Sequence, residues 1–219
     1  MRGLMRGVAV GLAPAALVVG VLTGCSAEAT AEKPAGKASA KGAAKGSPGD
    51  GTGAGTAAKG GTVGGAGSPC VLPVSFDLAA DWKPKAVTND DQFGPVTQGP
   101  VTLVCEIDAK PAGNIGFMRV WTGGRSGDDP RKALEAFVTD EAKSREKVAF
   151  SETKAGEFPA AEVTYLNTNE FLDAPKKERA FAVSTPRGLL VLHLGGMDSE
   201  EHEGMLPAYE LAKQSVRKA

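Results

Sequence analysis

Histidine is nearly missing: His193 and His202 are the only two in 219 residues. No nucleophile motif points at either, which leaves Ser-His-Asp hydrolysis without a base and makes a non-enzyme the expectation. Neither sign of charge dominates, since Lys+Arg 25 stand against Asp+Glu 26. That balance excludes a protein that neutralises a nucleic-acid backbone. Cysteine is limited to three residues with no CxxC spacing, which removes the closely spaced zinc or redox dithiol. Aromatic residues make up only 5%, which favours a filled aliphatic core over an aromatic-lined cavity.

What is abundant is glycine, 29 residues of it, and it is concentrated near the N-terminus. Met1–Gly24 has the layout of an export signal, with Arg2 and Arg6 before an apolar stretch from Val8 to Leu22. The stretch is short for a span, which needs about 20 apolar residues, and it ends in Leu22-Thr23-Gly24-Cys25 without a stop-transfer cluster. That ending resembles the bacterial lipobox, which implies cleavage before Cys25 and a diacylglyceryl group on its sulfur. An ordinary cleaved signal or an uncleaved anchor is the alternative. Two acyl chains, at about 0.8 kcal/mol per buried methylene, would hold the mature chain stably on the extracytoplasmic face of a cell membrane.

Residues 25–68 read as the lipidated cysteine followed by a disordered tether. Ser26–Ser68 holds 12 Gly and 12 Ala, with Val63 as its one branched aliphatic residue. Such a segment cannot offset its ordering entropy by burial. As a flexible coil it would reach roughly 35 Å. Residues 69–219 then form one globular domain. Within it Cys70 and Cys105 are an even pair in an exported protein, most simply a disulfide.

Strand patterning appears at 73–78, 85–87, 101–107, 115–122, 148–153, 160–167, 177–185 and 189–194, with a loop over 89–100. The run Leu-Leu-Val-Leu-His-Leu at 189–194 suits a central strand buried on both faces. Asp129-Pro130 opens a helix to about Ser144 with the stripe Ala133, Leu134, Phe137, Val138 and Ala142. Asp198-Ser199-Glu200-Glu201 opens a second, striped by Met205, Ala208 or Tyr209, Ala212 and Val216, in which Pro207 predicts a kink or a separate first turn.

Phe76-Asp77-Leu78 followed by Trp82, a helix after the Phe117–Trp121 strand, Gly156-Glu157-Phe158-Pro159-Ala160, the 189–194 strand and the closing helix together resemble the LpqN-type lipoproteins with a PsbP-like fold. The resemblance implies an α+β fold, an antiparallel sheet sandwiched by helices. It implies action by binding and no catalytic residues.

Three places could carry a site. Gly123–Gly127 lies between strand and helix but lacks the Gly-Lys-Ser/Thr of a phosphate loop, and Asp128 and Asp129 oppose an anion there, so no cofactor is expected. His193, Asp198, His202 and Glu203 could converge on a metal, yet His202 among Glu200, Glu201 and Glu203 reads better as a solvated first helical turn. Phe171 and Leu172, flanked by Asn169, Glu170 and Asp173, form either an interaction patch or a loop closed over the core. The expected partners are the membrane through the lipid, an envelope protein docked on the domain and, alternatively, a small apolar ligand or lipid held as cargo.

Overall fold

The computed structural model describes residues 55–88, 94–168 and 172–219. Strands β1 (Lys59–Val63), β2 (Val74–Ala79), β3 (Lys83–Ala86), β4 (Thr97–Gln98), β5 (Val101–Asp108) and β6 (Gly116–Gly123) precede helix α1 (Pro130–Glu141). Strands β7 (Ser144–Ala155), β8 (Phe158–Thr168), β9 (Lys176–Thr185) and β10 (Gly188–Gly196), helix α2 (Ser199–Gln214) and a short β11 (Arg217–Lys218) complete the chain. The large sheet is antiparallel, in the order β3-β5-β6-β10-β9-β8-β7 with β4 on β5; β1, β2 and β11 form a second, three-stranded sheet.

Strand β10 lies between β6 and β9 and is buried along nearly its whole length. Its two-residue period sends Leu190, Leu192 and Leu194 to one face and Leu189, Val191 and His193 to the other. The first set packs with Met118, Phe181, the small-sheet residues Val63, Val74 and Phe76, and Met205 and Tyr209 of α2. The second packs with Trp121, Tyr165 and the α1 residues Leu134 and Phe137.

The expected sheet sandwiched by helices is corrected by this arrangement. Among the described residues half are strand and a fifth are helix, in two α-helices, so the fold is β-rich. The physical reason is the second sheet. On one face the cover is shared between α2 and the strands β1 and β2, whose Val63, Val74, Phe76 and Leu78 join the core, so strands supply apolar surface that the sandwich would have drawn from helices.

Strand β1 is also where the tether boundary moves. Lys59–Val63, inside the segment read as disordered, pairs antiparallel with β2 from Lys59↔Ala79 to Val63↔Phe76. A Cβ on Gly60 would stand 2.5 Å from the Ala80 Cα, so glycine here permits a close backbone approach. The Cys70–Cys105 disulfide forms, joining the segment between β1 and β2 to β5.

Both helix starts follow their sequence signals. Asp129 accepts from the Arg131 and Lys132 amides ahead of Pro130, and Asp198 accepts from Glu200 and Glu201. Helix α1 ends at Glu141 rather than Ser144, because Ser144 begins β7. Helix α2 runs from Ser199 to Gln214 with Pro207 inside it, so the separate first turn does not form. The Pro207 carbonyl is used by the amide of Ala57 at 3.1 Å. Val216 lies beyond the helix, buried, and Thr97–Gln98 form β4 within the expected loop. Among the described residues no helix is long and apolar enough to cross a membrane.

Candidate functional site

At one end of the large sheet, on the α1 face, the apolar register gives way to charge. Glu178 on β9 pairs with Gly195 on β10 and Tyr165 on β8; His193 on β10 pairs with Arg119 on β6, which pairs with Glu106 on β5. Residues diagonal across an antiparallel pair share a face, so Glu178 and His193 converge. Their separation is 2.7 Å, from His193 Nε2 to Glu178 Oε2. Gly195 makes this fit: a Cβ there would lie 3.2 Å from the same Oε2.

Lys176, two residues before Glu178, places Nζ 2.7 Å from its Oε1 and donates to the Gly196 carbonyl at 3.2 Å. The Tyr165 hydroxyl lies 3.3 Å from His193 Nε2. From the end of α1, Glu141 reaches the same place and accepts a hydrogen bond from Gln98 of β4. Arg119 donates Nε to Glu106 at 2.8 Å and lies over the Phe117 ring.

Glu178 has a fully buried side chain, and a buried carboxyl is normally pushed up. Burial acts that way here, yet the charges of His193 and Lys176 outweigh it and hold the group below the usual carboxylate range. Tyr165 moves upward, first through burial and then through the neighbouring Glu178 and Glu141 charges. The cluster floors a cleft of about 240 Å³ lined by Phe117, Arg119, Glu141, Lys176, Glu178 and His193. Two apolar residues stand exposed at its rim, Ile115 at 53% and Met197 at 57%, linked by a Met197 amide to Ile115 carbonyl hydrogen bond of 3.0 Å.

The residues singled out from the sequence are distributed as follows. Cys25 and Phe171 lie outside the described residues. Leu172 is half-buried and lines a neighbouring cleft of about 530 Å³ with Pro175, Lys176 and Met197. Cys70 and Cys105 are bonded to each other. His193 shares the three-residue group with Glu178 and Glu141, but His202 does not: it sits in the first turn of α2, beside a second cleft that Glu178 and Tyr165 also line, with Lys177, Arg179 and Glu203. Burial there pulls His202 down to about 4, against the opposing charges of Glu178 and Glu203. Asp198 is spent on the helix cap and Glu203 pairs with Lys177. In the glycine turn, Asp128 accepts from the Arg125 amide and Gly127 donates to Ser184, while Asp129 occupies the α1 N-terminus.

Sequence reasoning passed over Glu178, Glu141, Lys176 and Arg119. The signal for Glu178 was available: strict alternation back from Ala182 and Ala180 puts it on the buried face, where an ionised residue requires partners.

Compared with known proteins, residues 38–216 match the model of the family Lipoprotein_23, described as uncharacterised lipoprotein. No curated protein and no solved structure matches the chain. The match bears out the lipoprotein part of the LpqN-type resemblance and extends to neither the LpqN type nor the PsbP-like fold.

Proposed function

Because the chain belongs to this family of membrane-anchored lipoproteins, we propose that it is held through diacylglyceryl-Cys25 on the extracytoplasmic face and acts there as a non-catalytic binding module for an envelope protein. The observation that carries this reading is the exposed pair Ile115 and Met197. Both lie at the end of the central strands, beside a cleft whose floor is charged, with Leu172 and Pro175 continuing apolar surface through the next cleft. An apolar rim around convergent polar groups is the composition of a protein-docking surface, where large side chains supply energy and the polar groups set register. The signal peptide, removed before Cys25, brings the chain to the membrane, and the glycine-rich segment up to β1 gives the domain its reach.

Mass spectrometry of the full lipoprotein extracted from its own membrane tests both halves. The denatured mass is expected to start at an acylated Cys25; an intact Met1–Gly24 or an unmodified Cys25 overturns the anchor. The native mass is expected to include a protein adduct that is lost in Met197→Asp. An apolar small molecule in its place, or an adduct indifferent to Met197→Asp, overturns docking at this rim and favours a carrier.

A further inference from the structure

We infer that Glu141, Glu178 and His193 form a binding site for a divalent transition-metal ion of the zinc class, on the floor of the cleft beside Ile115 and Met197. Among the described residues these three offer one ligand atom each, all within 4.8 Å of one another. The closest separation is the 2.7 Å between His193 and Glu178. Ligand atoms around a tetrahedral zinc, bonded at about 2.1 Å, stand about 3.4 Å apart, a spacing that atoms already within 4.8 Å of one another reach by small side-chain adjustments. One imidazole and two carboxylates are a donor set that zinc accepts, and the cleft leaves the remaining position open to solvent or to a ligand.

A second observation points the same way independently of the spacing. Both Glu178 oxygens are fully buried, with Lys176 Nζ 2.7 Å from Oε1 and His193 Nε2 2.7 Å from Oε2. A carboxylate has about four lone-pair sites, so a buried one that meets one ammonium and one imidazole keeps acceptor capacity for a cation. The surroundings are those of a supported site. Lys176 holds Oε1 of Glu178 while also bonded to the Gly196 carbonyl, and Gln98 holds Glu141. Two carboxylates, Glu141 and Glu178, face the one ammonium of Lys176, and Arg119 is already neutralised by Glu106. Zinc would take the lone pair of a neutral His193 ring and one Glu178 oxygen, any proton shared between the two being released to solvent, and leave Lys176 where it is.

This inference stands apart from the docking reading, because it concerns the cleft floor and not the rim. The test is calorimetric titration of the full-length lipoprotein in detergent, without a polyhistidine tag, using Zn²⁺ alone. One equivalent is expected to bind at about micromolar Kd or tighter. Glu141→Gln, at a half-buried position, is expected to weaken binding at least about tenfold while leaving the melting temperature of the metal-free protein unchanged. His193→Gln should also weaken binding, and, because it removes a buried partner of Glu178, it should lower the metal-free melting temperature as well; His202→Gln should bind as wild type. Co²⁺ in place of Zn²⁺ should give a visible absorption band that Glu141→Gln abolishes. No uptake at about 0.1 mM Zn²⁺, or uptake that Glu141→Gln leaves unchanged, overturns the inference.

Discussion

Breaking the Cys70–Cys105 bond should cost this protein about 4 kcal/mol. The two cysteines are 35 residues apart in sequence, and closing a loop of that size in the unfolded chain removes about 13 cal/mol/K of entropy. Both sulfurs are buried in the core that joins the two sheets, at 1% and 0% exposure, so reduced thiols keep the same volume and leave no cavity. Reduction therefore isolates the covalent link from packing. For a folded region of this size each kcal/mol moves the melting temperature by about 2–4 °C, which places the expected drop at roughly 8–15 °C. The assay is thermal unfolding of the full chain, refolded from denaturant with and without reductant, followed by circular dichroism. Hydrogen exchange on the same samples should show β1 and β2 losing the most protection, because the bond fastens the segment between them to β5. A drop below about 3 °C would refute the chain-entropy argument, since it would mean the unfolded chain is already held compact without the bond.

Other perturbations follow from named contacts. The unfolded chain takes a proton on His202 near 6.5 and the folded chain only near 4, so between those values the unfolded state binds more protons and stability falls as pH falls. Urea unfolding between pH 6.5 and 4 should show a loss of about 3 kcal/mol that His202→Gln removes; an unchanged slope in the variant would sink this assignment. Below the ordinary carboxylate range a further loss should appear, because Glu178 is held low when folded and its contribution disappears as it protonates. Gly156 turns β7 into β8 with φ +53°, and a Cβ there would meet the Val216 carbonyl. Gly156→Ala should cost at least about 1 kcal/mol, read from the urea midpoint, whereas Gly113→Ala, with open space around it, should cost less.

The elements legible in the sequence were those with one dominant local signal. A continuous apolar run placed β10 at the centre, and Asp129-Pro130 and Asp198 marked their helix starts, because these depend on neighbours within four residues. Strand β1 was not legible: Lys-Gly-Gly-Thr-Val carries no alternation, and it forms because β2 offers an edge onto which a glycine-rich chain can lie closely. Pro207 does not split α2 into a turn and a helix, since a proline removes only one donor and packing of α2 against β2, β9 and β10 outweighs it. The second sheet followed from β1, and with it the β-rich architecture in place of the expected layers. At the site, the sequence singled out His193 but paired it with His202, nearest in sequence, whereas register paired it with Glu178 on the adjacent strand and Glu141 on the helix above. Long-range pairing of that kind has no local signature.

The central claim is that an anchored module docks its partner through the rim at Ile115 and Met197, and cross-linking in the native membrane tests it most directly. A photoreactive residue at Met197 in the intact lipoprotein should give a discrete protein adduct on irradiation, and one at Val71, exposed at a distant part of the domain, should not. Adducts of equal yield at both positions, or none at Met197, would contradict the account.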